Sequence, residues 1–226
     1  MCILLHFGSM DMQIIRQNRA SISLQITRDG HVVVKAPRLM PQFFIDQFLA
    51  SKKEWIEKTL AKVTMYSVKK HTYQEGEAFL FLGTPHILQF YAGADIVAKN
   101  GKLFFPKGAV FRIQKELETW FKKKASDIIV QRVRFHAQKM QATYTDIFFS
   151  DTSSKWGTCF ADNTLQFNWR LIMAPLLVID YVVIHELTHT TEKHHQDRFW
   201  RRVRQFTPAY KQYRKWLADN GHLLQF

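Results

Sequence analysis

With 226 residues, 46 % of them hydrophobic, the chain can bury a sizeable core as one large or two small domains, which excludes a disordered polypeptide. Lys and Arg outnumber Asp and Glu by 32 to 19, a net charge of +13 that attracts polyanions. The two distant cysteines, Cys2 and Cys159, exclude a disulfide framework and fit a reducing, cytoplasmic setting, and no apolar stretch reaches the ~18 residues of a membrane span.

Met1 to Phe7 is too short for a secretory signal and lacks its positive start; Met10 or Met12 would serve equally well as the first residue. Met12 to Arg16, Ser21 to Thr27 and His31 to Lys35 alternate as short strands. The turns between them are Gln17-Asn18-Arg19-Ala20 and Arg28-Asp29-Gly30, the latter a strong hairpin signal, and the set predicts a β-meander. Pro41 opens a helical pattern through Phe44, Phe48, Trp55, Ile56 and Leu60, after which Val63 to Gly76 reads as loop. Phe79 to Leu82, His86 to Tyr91 and Leu103 to Phe105 form a second set of strands, separated by Gly83-Thr84-Pro85 and Asn100-Gly101. Residues 1–108 are therefore a strand-rich region, distinct from residues 109–226.

Phe111 to Gln141 carries Leu117, Trp120, Phe121, Ile128, Val133 and Phe135 amid many basic residues, the pattern of one long helix. Ile147 to Phe149, Thr158 to Phe160 and Leu165 to Trp169 read as strands, the last two joined by Ala161-Asp162-Asn163. Further on, Phe199, Trp200, Val203 and Phe206 make a helical stripe. Thr207-Pro208 restarts a helix bearing Tyr213 and Trp216, which ends near Gly221.

Between these lies the most informative segment, His185-Glu186-Leu187-Thr188-His189, an H-E-x-x-H pattern at the end of the apolar run Leu176 to Ile184, itself preceded by Pro175. Four residues apart on a helix, His185 and His189 project from one face and reach a single metal ion, with Glu186 beside them. Imidazole nitrogens suit zinc. On a helix apolar on nearly all sides, two histidines and a glutamate are costly unless they are paired or bound to metal. A tetrahedral catalytic site needs a third protein ligand, and Glu192, His194, His195 and Asp197 are all candidates. Glu192 shares the helix face if the helix continues, whereas His195 needs the helix to stop, and no Gly or Pro marks the stop.

Several motifs in order carry a resemblance. They are Ser154-Lys155-Trp156-Gly157-Thr158-Cys159, the stretch Leu165 to Pro175, Val178 to His189, and His194-His195-Gln196-Asp197-Arg198-Phe199-Trp200. Together, over about residues 150 to 205, they resemble the YgjP-like metallopeptidase family. The resemblance implies that the third metal ligand is His195, in an Asn-His-Ser segment of the family that here reads His194-His195-Gln196. It also implies an α+β fold, in which a strand-rich N-terminal half precedes a zincin-like C-terminal domain with the metal-site helix on a small antiparallel sheet. Metzincin-type sites share the spacing but place a Gly where this chain has Glu192, so the chain is not assigned to them.

The mechanism so implied is peptide hydrolysis. His185, His189 and His195 hold Zn2+, Glu186 takes a proton from water and returns it to the leaving nitrogen, and a polypeptide substrate adds as a strand along an exposed edge at Leu165 to Trp169. Asn168 and Arg170 are candidate donors to the oxyanion, although an Arg beside a Trp more often lies at the surface. Trp156 and Gly157 shape the cleft wall or a tight turn. Cys159 reads as a small buried hydrophobe rather than as a ligand or nucleophile, and His71, His86 and His136 lack metal spacing. The basic clusters at Lys122 to Lys124, Arg132 to Arg134, Arg198 to Arg204 and Arg214-Lys215 are solvated helix faces or a contact for nucleic acid or a nucleotide. Two further functions thus stand beside the peptidase: a metal-dependent nucleotide phosphoanhydride hydrolase, and a nucleic-acid-binding protein with a structural metal.

Overall fold

Apolar residues at alternate positions decide the first sheet. Val32, Val34 and Ala36 on β4 (Val32–Pro37) and Met12 and Ile14 on β2 (Met10–Gln17) are all buried. The two strands run parallel with Met12 opposite Val32 and Ile14 opposite Val34, so their apolar side chains share one face. β1 (Cys2–Phe7) pairs with β2 and β3 (Ser23–Ile26) with β4, giving the order β1-β2-β4-β3. This corrects the expected meander: β4 separates β2 from β3, because that order joins the two core-facing strands. The predicted turn at 28–30 lies outside the residues that the computed structural model describes, which are 2–7, 10–26, 31–65, 71–152 and 155–226.

Two helices cover this face, α1 (Gln42–Ser51) and α2 (Lys53–Met65), which runs past Val63 where loop was expected. They bury Ile45, Leu49 and Ile56, and leave the predicted Phe44 and Trp55 54 % and 48 % exposed. In Phe43-Phe44-Ile45 adjacent apolar residues give the helical period no unique face, and the break at Lys52 shifts the stripe between the helices.

The chain divides into compact units at Met1–Lys69 and Lys70–Phe226. The second set of strands, expected to belong with the N-terminal region up to residue 108, lies in the second unit. There β5 (Ala78–Phe81), β6 (Thr84–Tyr91), β7 (Val97–Lys99) and β8 (Lys102–Pro106) form a sheet in the order β5-β6-β8-β7 with β6 and β8 parallel. Its Phe79, Leu88, Leu103 and Phe105 join the core made by α3 (Ile113–Met140). The α3 stripe recurs every four residues, at Leu117, Phe121, Ala125, Ile129, Val133 and Ala137. Such a stripe packs along the whole helix, whereas the predicted Phe135 is 51 % exposed.

A third sheet follows, of β9 (Ile147–Ser150), β10 (Gly157–Cys159) and β11 (Leu165–Asn168), in the order β10-β11-β9. β11 is antiparallel to β10 but parallel to β9, so the sheet is mixed where an antiparallel one was expected, and β11 is its middle strand. The 3-10 turn Trp169–Met173 leads into α4 (Leu176–Thr188), and α5 (Asp197–Phe206) and α6 (Tyr210–Asn220) complete the unit. The start of α4 is set by the β5–β6 turn, where Leu82 and Gly83 donate backbone hydrogen bonds to Ile172 and Met173 at 2.9 and 3.0 Å. Gly83, at φ +79°, leaves no room for a side chain, since a Cβ would sit 2.6 Å from Cγ of Pro175. Among the described residues no helix is long and apolar enough to cross a membrane.

α3 lies against α4, and one polar cluster locks the pair. Arg132 donates to both Asp180 carboxylate oxygens, at 2.6 and 2.7 Å, and His136 Nε2 lies 3.1 Å from the same group. Burial opposes the Asp180 charge, but hydrogen bonds from His136 and Arg132 outweigh it and hold the pKa below the ordinary carboxylate value. A depressed pKa means that the stabilisation is present above the unfolded value of ~3.9 and is lost as pH falls through the folded value. Asp180→Asn is therefore expected to cost about 2 kcal/mol in urea unfolding at neutral pH, with the gap to wild type narrowing in acid below that unfolded value.

Candidate metal centre

α4 is the most thoroughly buried helix of the second unit: Val178, Ile179, Tyr181 to Ile184 and Leu187 all lie in its core. His185, Glu186 and the terminal His189 sit at its C-terminal end. The helix stops there without glycine. Hydroxyls of Thr188, Thr190 and Thr191 donate to the carbonyls of Ile184, Leu187 and Thr188, at 2.7, 2.8 and 3.3 Å, and the last two of these carbonyls also accept from the backbone N–H groups of Thr190, Thr191 and Glu192. The chain then turns back and returns His195 to the helix end. Lys193 fixes this return by donating to Asn163 Oδ1 at 2.7 Å, in the turn between β10 and β11.

His195 Nε2 lies 3.0 Å from His185 Nε2 and 3.1 Å from His189 Nε2, and one nitrogen of each ring lies within 4.8 Å of the others. The expected three histidines are thus together, while Glu192, His194 and Asp197 are outside this cluster. Glu192 contributes its backbone: its carbonyl lies 3.0 Å from His189 Nδ1, and since a carbonyl only accepts, Nδ1 carries the hydrogen and Nε2 keeps its lone pair for the cluster. Burial, then the neighbouring histidines and Arg214, push His185 down to about 3, so its ring is neutral. His189 and His195 are also lowered, again chiefly by burial. Neutral imidazoles whose nitrogens converge this closely fit a divalent cation, because tetrahedral bonds of 2.0–2.1 Å set ligand nitrogens about 3.3 Å apart. Phe199, fully buried on α5, touches all three rings, at centroid distances of 4.8, 4.5 and 4.7 Å, and backs the cluster with an apolar wall.

Glu186 is 6 % exposed and faces β10. The backbone N–H of Cys159 donates to its carboxylate. Burial pushes Glu186 up to about 8, against the pull of Lys155 and of that hydrogen bond. Gly157 makes the approach possible: a Cβ there would lie 2.6 Å from both Cγ and Oε1 of Glu186. The main-chain donor of Cys159 is the contact that sequence reasoning missed, since residue types do not show where a backbone N–H points. Gly157 was legible only as part of the cleft wall.

The candidate oxyanion donors are committed elsewhere. Asn168, 1 % exposed, donates to Thr152 O at 2.7 Å and accepts from Arg170 N at 2.9 Å. The Arg170 guanidinium pairs with Asp151 and lies over the Trp169 ring. His71 pairs with Glu77 at 2.8 Å and His136 with Asp180, which leaves both with structural work.

The model of a family described as YgjP-like, metallopeptidase domain, matches residues 20–220 of the chain. No curated protein and no solved structure matches it.

Proposed function

The chain belongs to the YgjP-like metallopeptidase family, and from that premise we propose that it is a zinc-dependent peptidase, with His185, His189 and His195 as metal ligands and Glu186 as general base. The observation that carries this reading is the convergence of three Nε2 nitrogens next to a buried carboxylate. When bound there, zinc supplies a Lewis acid that polarises a peptide carbonyl and lowers the pKa of water towards neutrality. The chain's own residues do the rest. Glu192 O orients the His189 ring, and Phe199 excludes water from behind the three imidazoles. The Cys159 N–H holds the Glu186 carboxylate, which takes a proton from the attacking water and delivers it to the leaving nitrogen. A buried carboxyl whose proton affinity is raised above the ordinary carboxylate value suits both transfers.

The substrate strand is assigned to β10, not to the Leu165 to Trp169 edge. β11 is bonded on both sides, whereas β10 is the outer strand and lies against Glu186. Backbone pairing along β10 gives affinity with little demand on sequence.

The deciding experiment measures metal content and offers unfolded polypeptide and nucleoside triphosphates side by side. Roughly one zinc per chain and peptide cleavage abolished by chelation are expected, with metal affinity at least about 100-fold weaker in His195→Ala. Phosphoanhydride hydrolysis without peptide cleavage would replace this reading with a nucleotide hydrolase.

A further inference from the structure

Beyond the three imidazoles, α6 and Trp200 of α5 border a second, open concavity of about 430 Å³, lined by Trp200, Tyr210, Lys211, Arg214, Lys215 and Ala218. Its composition follows from helix spacing. Tyr210, Arg214 and Ala218 are four apart on one face of α6, with Lys211 and Lys215 flanking them. Among the described residues three cations and no carboxylate line it. Lys215 is tied to Asp219 at 2.6 Å, but among the described residues neither Lys211 nor Arg214 has an ion-pair partner. The Arg214 guanidinium lies 5.5 Å from the Trp200 ring centroid, and the Trp200 ring stacks on Tyr210 at 5.3 Å, so the cation is already positioned against an apolar wall.

Trp200 also joins this concavity to the metal centre. Its other stacking partner is His195, at 5.7 Å and an interplanar angle of 23°. The third imidazole and the guanidinium thus both lie against one indole, at 5.7 and 5.5 Å from its ring, close enough for an extended peptide to reach both within about three residues at ~3.3 Å each.

We propose that this concavity is a subsite for a carboxylate of the peptide substrate, and that Arg214 is its specificity-determining residue. The assignment rests on the peptidase reading given above. A planar guanidinium with no ion-pair partner among the described residues matches a carboxylate with two parallel hydrogen bonds, and Lys211 adds a second positive charge at the rim. The carboxylate belongs either to an acidic side chain near the scissile bond or to the free C-terminus of a short substrate.

The test uses the full-length, zinc-loaded protein and matched peptides. One set exchanges Glu for Gln at each position flanking the cleaved bond; the other compares free with amidated C-termini. The expected result is a kcat/KM ratio of about tenfold in favour of the carboxylate in one set, carried mainly by KM, which identifies its source. That ratio is expected to fall to about one in Arg214→Ala, to persist in part in Arg214→Lys, and to invert towards basic peptides in Arg214→Glu. Calorimetric binding of the same peptides to zinc-loaded Glu186→Gln protein gives a readout that does not need turnover. Cleavage with no preference in either set, or a preference that survives in Arg214→Ala, overturns the subsite and leaves the peptidase reading intact. Tighter binding of an oligonucleotide than of any acidic peptide, lost in the Arg214 variants, overturns it in favour of phosphate. Absence of cleavage with carboxylate discrimination retained in binding supports the subsite and discards the peptidase reading.

Discussion

Glu186→Gln is expected to lower kcat by about 10³-fold while leaving the metal content of the protein unchanged. The substitution keeps the shape of the side chain and one oxygen for the Cys159 N–H, but removes its capacity to hold and release a proton. The three histidines do not depend on it: His189 is oriented by the Glu192 carbonyl and all three rings pack on Phe199. A loss of zinc in parallel with activity would instead mean that the carboxylate holds the metal site together. Paired measurement of turnover and of zinc by elemental analysis separates the two.

Gly157→Ala is expected to lower kcat/KM by about 100-fold, again with zinc retained. The added methyl would stand 2.6 Å from Cγ and Oε1 and 2.8 Å from Cδ of Glu186, well inside van der Waals contact. The carboxylate must then swing off the Cys159 N–H, or β10 must move away from α4. Either shift, of the order of 1 Å, is enough to misplace a proton acceptor relative to the reacting atoms. The global stability of the variant is expected to change far less than its activity, because β10 is a short outer strand. Comparison of its urea midpoint with its turnover checks this.

The parts legible in the sequence were those governed by short-range rules. The i, i+4 pair His185 and His189, the apolar run before it, the long α3 and the Asp162-Asn163 turn all follow from local spacing. Pairing order did not: β2 with β4 and β6 with β8 are parallel partners brought together across an intervening segment, and alternation within a strand does not name its neighbour. The same limit explains why β11 was read as an edge. The third histidine was reached through family resemblance and not from spacing, because α4 ends at His189 with neither Gly nor Pro to signal the stop. α1 misled for a different reason: with aromatic and aliphatic residues at consecutive positions, helical periodicity offers several faces, and only packing against β2 and β4 selects Ile45 and Leu49.

The α4 helix, which bears two of the three imidazoles at its C-terminal end, runs through the larger core and is not a surface loop. Reactivity and cohesion are therefore bound into one element: no fraying at the periphery can release His185 or Glu186 while the rest of the unit survives. A cation captured at this end of α4 draws on the whole unit's resistance to opening, and each captured ion returns that investment as added resistance to heat.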